Sequence, residues 1–204
     1  MSTAVTARRL SAREWAALSD DVPGELVGGV LVEEEMADYV HDLVVGWLIA
    51  VVGHWVLARG GLVAASDAKF ALAEDRGRKP DASVFLPGSE RPTARGAVTV
   101  PPSIAIEVVS PTPRDARRDR IEKLADYAAF GVPSYWIVDP QLRTLEVLEL
   151  DQDGRYVHAL AVSSGVQRAV PGCAGLELDL DALWASSTSC PAAPADQGLA
   201  PPPA

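Results

Sequence analysis

The sequence predicts a sheet with helices packed on it, an α/β or α+β domain, and three observations carry this. Short apolar segments of strand character recur between turn residues along the whole chain. Two longer stretches, 43–58 and about 116–130, have helical patterning instead. The segment 103–110, Ser-Ile-Ala-Ile-Glu-Val-Val-Ser, is apolar at both odd and even positions, as a strand covered on both faces must be.

In chain order, Ser11 and Glu14 have capping-box spacing, which predicts a short helix to about Leu18. Gly28-Gly29 lies between Glu25-Leu26-Val27 and Val30-Leu31-Val32, a hairpin whose turn needs positive φ. The run 43–58 follows, with Trp47, Val51 and Trp55 at four-residue steps. A helix this apolar is covered on more than one side, by the core or by a second copy, so a homodimer is one of the two arrangements it allows. The run is broken by Gly46, Gly53 and His54 and falls short of the roughly 20 residues needed to cross a bilayer, so no membrane partner is expected.

Gly60-Gly61 ends the helix. A strand is predicted over 62–72, a polar loop over 74–79, and a further strand over 82–86 directly after Pro80-Asp81. After the central segment 103–110, the helix of 116–130 should pack by Ile121, Leu124, Ala125 and Ala128 and stop at Gly131. Strands are predicted at 134–138, 144–150 and 156–162, the last two joined by Asp151-Gln152-Asp153-Gly154. From 185 onward Ala, Ser and Pro dominate, and such a segment buries too little to offset its ordering entropy. The expected organisation is an N-terminal extension (1–22), one domain (23–184) and a disordered tail (185–204).

The chain has 204 residues, 28 acidic against 18 basic, for a net charge of −10. That balance argues against a general nucleic-acid coat, which needs a basic face, but a phosphodiester-cleaving site itself gathers carboxylates around a cation. Two cysteines, Cys173 and Cys190, make no disulfide framework, and 1–10 has no apolar stretch of signal-peptide length. The cytoplasm is the expected compartment.

Glu107 is the most informative residue. A carboxylate among Ile104, Ile106, Val108 and Val109 costs several kcal/mol to bury charged unless a cation or donor compensates. A strand-end position open to water or a structural salt bridge to a nearby arginine would also answer that need. Asp81 opens the neighbouring predicted strand after a proline, a position equally suited to turn chemistry. As a pair on adjacent strands, the two could share a hard divalent cation through oxygen ligands.

Pro80-Asp81, then Ile106-Glu107-Val108-Val109-Ser110-Pro111, Arg120, Lys123, Tyr127, and Gly131-Val132-Pro133-Ser134-Tyr135-Trp136-Ile137-Val138-Asp139-Pro140, form a succession that resembles the Uma-type family of restriction endonucleases. The resemblance spans roughly 24–160 and is closest in its second half. That family is similar to the PD-(D/E)XK nuclease superfamily, so the resemblance implies an α/β, restriction-endonuclease-like core with a mixed central sheet flanked by helices. It further implies Mg²⁺ or Mn²⁺ held by Asp81 and Glu107, and a nucleic-acid substrate, in the first place DNA. The superfamily's lysine normally follows two residues after the second acid, where this chain has Val109. Related families are thought to supply it from the next helix, and Lys123 holds that place; a solvated surface lysine would show the same pattern.

The chemistry suits these residue types. A bound divalent ion provides a nucleophilic water and neutralises phosphoryl charge, and an ammonium adds to that stabilisation. His41 and Glu33-Glu34-Glu35 lie where some related nucleases place an additional acid, although a helix-end histidine and a solvated charge run are the simpler readings. Arg114, Arg117, Arg118 and Arg120 could meet phosphates or balance Asp115 and Asp119. The expected function is therefore a metal-dependent DNA endonuclease with Asp81, Glu107 and Lys123 as its catalytic residues. The alternatives are a catalytically inactive member serving as a nucleic-acid-binding or protein-interaction module, supported by the acidic net charge and the absent strand lysine, and a hydrolase of another phosphoester.

Overall fold

The computed structural model describes residues 8–19, 22–33, 38–112 and 117–187. Along the chain come α1 (Ala12–Ala16), β1 (Glu25–Val27), β2 (Val30–Val32), α2 (Tyr39–Leu57), β3 (Leu62–Ala65), β4 (Phe70–Ala73), β5 (Arg76–Arg78), β6 (Ala82–Phe85) and β7 (Ile104–Val108). A π-helical segment (Arg118–Lys123) then runs directly into α3 (Leu124–Phe130). After it come β8 (Ser134–Asp139), β9 (Thr144–Leu150), β10 (Tyr156–Val162), β11 (Val166–Gln167), β12 (Leu178–Asp179) and α4 (Leu180–Ser187).

The fold is mixed α/β, as the sequence predicts. Its main sheet has the order β10-β9-β8-β7-β6-β3 and is antiparallel except between β7 and β8. That parallel pair needs a crossover, which the π-helical segment and α3 provide. Side chains alternate across β7. Ile104, Ile106 and Val108 join Val44, Leu48, Val52 and Val56 of α2 and Leu183 and Trp184 of α4 in one core. On the other face Ala105 and Val109 pack with Tyr127, Tyr135 and Ile137. Glu107 falls on this second face, under the crossover helix.

Two strand expectations are corrected. The stretch 62–72 is not one strand: β3 ends at Ala65, Asp67 takes φ 80°, and β4 enters a separate sheet of order β2-β1-β5-β4. The expected loop 74–79 contains β5, which pairs with β1 and β4. Its polarity hides it from a hydrophobic pattern. Arg78 is fully buried because Glu25 and Asp126 accept its hydrogen bonds.

α1 packs on this small sheet through Ala12 and Trp15, against Leu26 of β1. The Ser11–Glu14 capping box forms, Trp15 is buried, and its indole N–H donates to the Gly24 carbonyl at 3.2 Å. The ring lies on β5 so closely that a Cβ at Gly77 would come within 2.3 Å of it. Gly77→Ala is therefore expected to destabilise the fold by about 1–3 kcal/mol, the usual cost of overpacking, read from chemical denaturation.

α2 is longer than the apolar run suggested. It begins at Tyr39 behind the Asp38 cap, and by length and composition alone it could cross a membrane. In this fold one face of it is buried against the sheet. At the other end of the chain, α4 continues through Ser187 into the stretch expected as a tail. Residues 188–204, Cys190 among them, lie outside the described residues.

Candidate active site

Extending the β6–β7 register by one residue, from Ala82 opposite Ile106, sets Asp81 opposite Glu107. Cross-strand neighbours of this kind project to the same face. Asp81 is fixed there by the backbone N–H of Val108, which donates to Oδ2 at 2.7 Å. The imidazole of His41, in the first turn of α2, lies with Nε2 3.2 Å from the same oxygen. Burial works against the charged imidazolium, but Asp81 and Asp42 outweigh it and raise the His41 pKa to about 9. Asp81 Oδ1 has no hydrogen bond among the described residues.

Glu107 is 1% exposed and both of its oxygens are engaged. Lys123 donates to Oε2 at 2.9 Å and the Tyr127 hydroxyl donates to Oε1 at 2.7 Å. The Lys123 ammonium also lies 3.3 Å from Asp119 and 3.8 Å from Glu25. Glu25 in turn accepts from Arg78 and from the Lys79 backbone N–H. Burial pushes the Glu107 carboxyl well above the usual carboxylate range. Lys123 opposes that shift, while Asp81, Asp119 and Glu25 add to it. Burial raises Asp119 in the same way.

The crossover helix reaches this cluster by a face other than the expected one. Ile121 is 57% exposed and Ala125 is exposed, whereas Asp119, Lys123 and Tyr127 point inward. Burying Ile121 would gain about 1.5–3 kcal/mol. Turning Lys123 and Tyr127 outward would strip Glu107 of its counter-charge and its donor at a cost of several kcal/mol, so the polar face wins. The π-helical turn ends at Lys123, directly where this residue meets the sheet; such segments often mark functional positions.

Asp81, Glu107 and Lys123 are thus brought together, and His41 joins them. Glu33 is exposed, and Glu34 and Glu35 lie outside the described residues. Arg120 binds Glu146 and Asp139, tying the helix to β8 and β9. Arg114 and Asp115 also lie outside the described residues, so the balance proposed for Asp115 is undescribed, while Asp119 serves Lys123. Cys173 is buried and burial raises its pKa to about 12, which suits a packing residue.

Sequence reasoning missed Glu25 and Asp119 as partners of the lysine. The spacing Asp119, Lys123, Tyr127 was the available signal, since steps of four residues put all three on one side of a helix. Among the described residues, no group of three or more His, Cys, Asp or Glu side chains is arranged to hold a metal ion.

A solved structure described as that of "a putative nuclease belonging to DUF820" from Anabaena variabilis ATCC 29413 is similar to this chain in fold. The TM-score is 0.67 at 18% identity, covering 87% of this chain and 99% of that one. No curated protein matches the chain. Residues 12–181, which include every residue of the cluster, match a single family along their length, and the chain belongs to that family: Uma2, described as "Putative restriction endonuclease".

Proposed function

We propose that this protein is a divalent-metal-dependent endonuclease acting on DNA. In this reading Asp81 and Glu107 hold Mg²⁺ or Mn²⁺, and Lys123 assists the attacking water. The observation that carries it is the meeting of two carboxylates on neighbouring strands with a buried lysine 2.9 Å from one of them, in a member of a restriction-endonuclease family.

The donor set fits a small hard cation. Mg²⁺ keeps several of its waters and is commonly bound by only one or two carboxylates, so a third protein ligand is not required. Asp81 offers Oδ1, which no hydrogen bond occupies among the described residues. Glu107 would be the second ligand, with Lys123 and Tyr127 holding the orientation of its carboxylate.

When bound, the cation would supply Lewis acidity toward a phosphoryl oxygen and a more acidic water. The chain's own groups do the positioning. Val108 N–H and His41 fix the Asp81 carboxylate. Asp119 and Glu25 hold the Lys123 ammonium beside Glu107, where it could orient a water or a phosphate oxygen. A cleft of about 350 Å³ between the β1–β2 hairpin and the π-helical segment is lined by Arg117, Arg118 and Glu122, and the exposed Arg117 is a source of positive charge for the backbone of the substrate. The proposed compartment is the cytoplasm, supported by the two-cysteine composition.

Cleavage of single- and double-stranded DNA by the wild type with Mg²⁺, Mn²⁺ or EDTA tests this. Cutting should require the metal and fall by at least about 100-fold in Asp81→Asn, a neutral isostere that keeps the acceptor for Val108 N–H. A wild type that binds metal and DNA but cuts neither strand would shift the reading to a binding module, which the engagement of both Glu107 oxygens by Lys123 and Tyr127 also suits.

A further inference from the structure

The outward face of α2 carries one continuous exposed stripe: Tyr39, Asp42, Gly46, Ala50, His54 and Leu57. Its spacing reads the same in both directions, symmetric about the level of Leu48. Its chemistry is complementary in the same sense. Reversed on itself, the stripe sets Tyr39 against Leu57, Asp42 against His54, and Gly46 against Ala50: aromatic on aliphatic, acid on imidazole, small on small. We infer that α2 pairs with α2 of a second copy in antiparallel orientation about a two-fold axis at that level. The interface would be of the isologous kind, in which one patch meets itself.

Gly46 supplies an independent reason. A glycine inside a helix costs about 1 kcal/mol relative to alanine. Nothing among the described residues requires it here, since a Cβ added at Gly46 would meet none of their atoms within 4 Å. Close approach of another backbone does require it, and Gly46 and Ala50 sit at the middle of the stripe, where two crossing helices come nearest.

Beside the C-terminal half of the stripe, a groove of about 510 Å³ is walled by Val51, Trp55, Ala58 and Leu176. In the antiparallel pair the partner's Tyr39 and the partner's Leu43 fall at its mouth. Tyr39 is 69% exposed in the single chain.

A lipid surface is the competing occupant for so apolar a helix. It would strip water both from Asp42, whose Oδ1 lies 3.4 Å from His41 Nδ1, and from His54, whereas a second copy sets the Asp42 carboxylate and the His54 ring against each other as hydrogen-bond partners. A homodimer of this form also sets two candidate sites on one assembly, because His41 stands in the same helix as the stripe.

Sedimentation equilibrium of the full chain at micromolar concentration tests the inference. The wild type should give twice the 21.5 kDa chain mass. Gly46→Arg has room in the single chain and improves helix propensity, so it should keep the far-UV circular dichroism spectrum while weakening dimerisation by at least about tenfold. Asp42→Arg should weaken it too, and Asp42→Arg/His54→Glu should restore it, because only the antiparallel register brings these two positions together. A monomeric wild type overturns the inference, as does a Gly46→Arg variant that stays dimeric. A monomer that floats with phosphatidylcholine–phosphatidylglycerol vesicles would assign the face to lipid instead. None of these outcomes depends on whether the protein cuts DNA.

Discussion

Glu107→Gln is expected to abolish metal-dependent cleavage and at the same time to raise the melting temperature at neutral pH. The loss of activity, at least about 100-fold, follows from removing one of the two proposed metal ligands. The gain in stability follows from burial. The Glu107 carboxyl is 1% exposed and its pKa in the fold lies well above the ordinary 4.5. Above that ordinary value the unfolded chain has released the proton while the fold still holds it, so stability falls as pH rises through the window. Asp119 contributes with the same sign from its ordinary 3.8 upward.

Glutamine keeps the shape and an acceptor for Tyr127, and it has no charge to desolvate. Lys123 retains Asp119 at 3.3 Å and Glu25 at 3.8 Å. Thermal melting of both proteins from about pH 4 to pH 8 should therefore show a shallower decline for the variant. A lower melting temperature for Glu107→Gln at pH 7 would mean that the Glu107–Lys123 pair is net stabilising, and would sink the argument. Activity bought against stability in this way is a common property of sites that bury charge.

The local parts of the fold could be read from the sequence because their causes are local. Gly28 and Gly29 both take positive φ, at 58° and 77°, and the hairpin forms with the bounds their position implies. β9 and β10 span the residues that turn chemistry at 151–154 delimits. The apolar neighbours of Glu107 mark it as a carboxylate in need of compensation, and a water-exposed strand end is an alternative that its 1% exposure removes.

What escaped depends on contacts distant in sequence. Arg76–Arg78 is a strand because Arg78 meets Glu25, 53 residues earlier, and Asp126, 48 residues later. No apolar alternation marks such a strand, and its central residue is a glycine chosen by the Trp15 ring. The break at Asp67 separates two strands whose apolar character is continuous in sequence. The inward face of the crossover helix was hidden for the same reason: by pattern alone Lys123 is indistinguishable from a solvated surface lysine until the buried carboxylate beneath it is known. For the lysine, family resemblance supplied the position, and the partners Asp119 and Glu25 became visible only in three dimensions.

Lys123→Met should have the opposite effect on stability. Methionine fills the volume of the lysine stem and carries no charge, so the packing change is small. It leaves Glu107 and Asp119 buried side by side, with Glu25 beyond them, and without the ammonium that faces all three. Removing one partner of a buried ion pair in this way typically costs about 3–5 kcal/mol, read here from chemical denaturation at pH 7. The loss should shrink as pH falls. Without Lys123 both carboxyl pKa values move further up, so the two groups take up protons more readily in the fold and the uncompensated charge disappears. Glu107→Gln/Lys123→Met should recover a substantial part of the stability lost in Lys123→Met, because the glutamine no longer needs a counter-charge. A double variant no more stable than Lys123→Met would show instead that the ammonium is required by Asp119 and Glu25, with Glu107 held by Tyr127 alone.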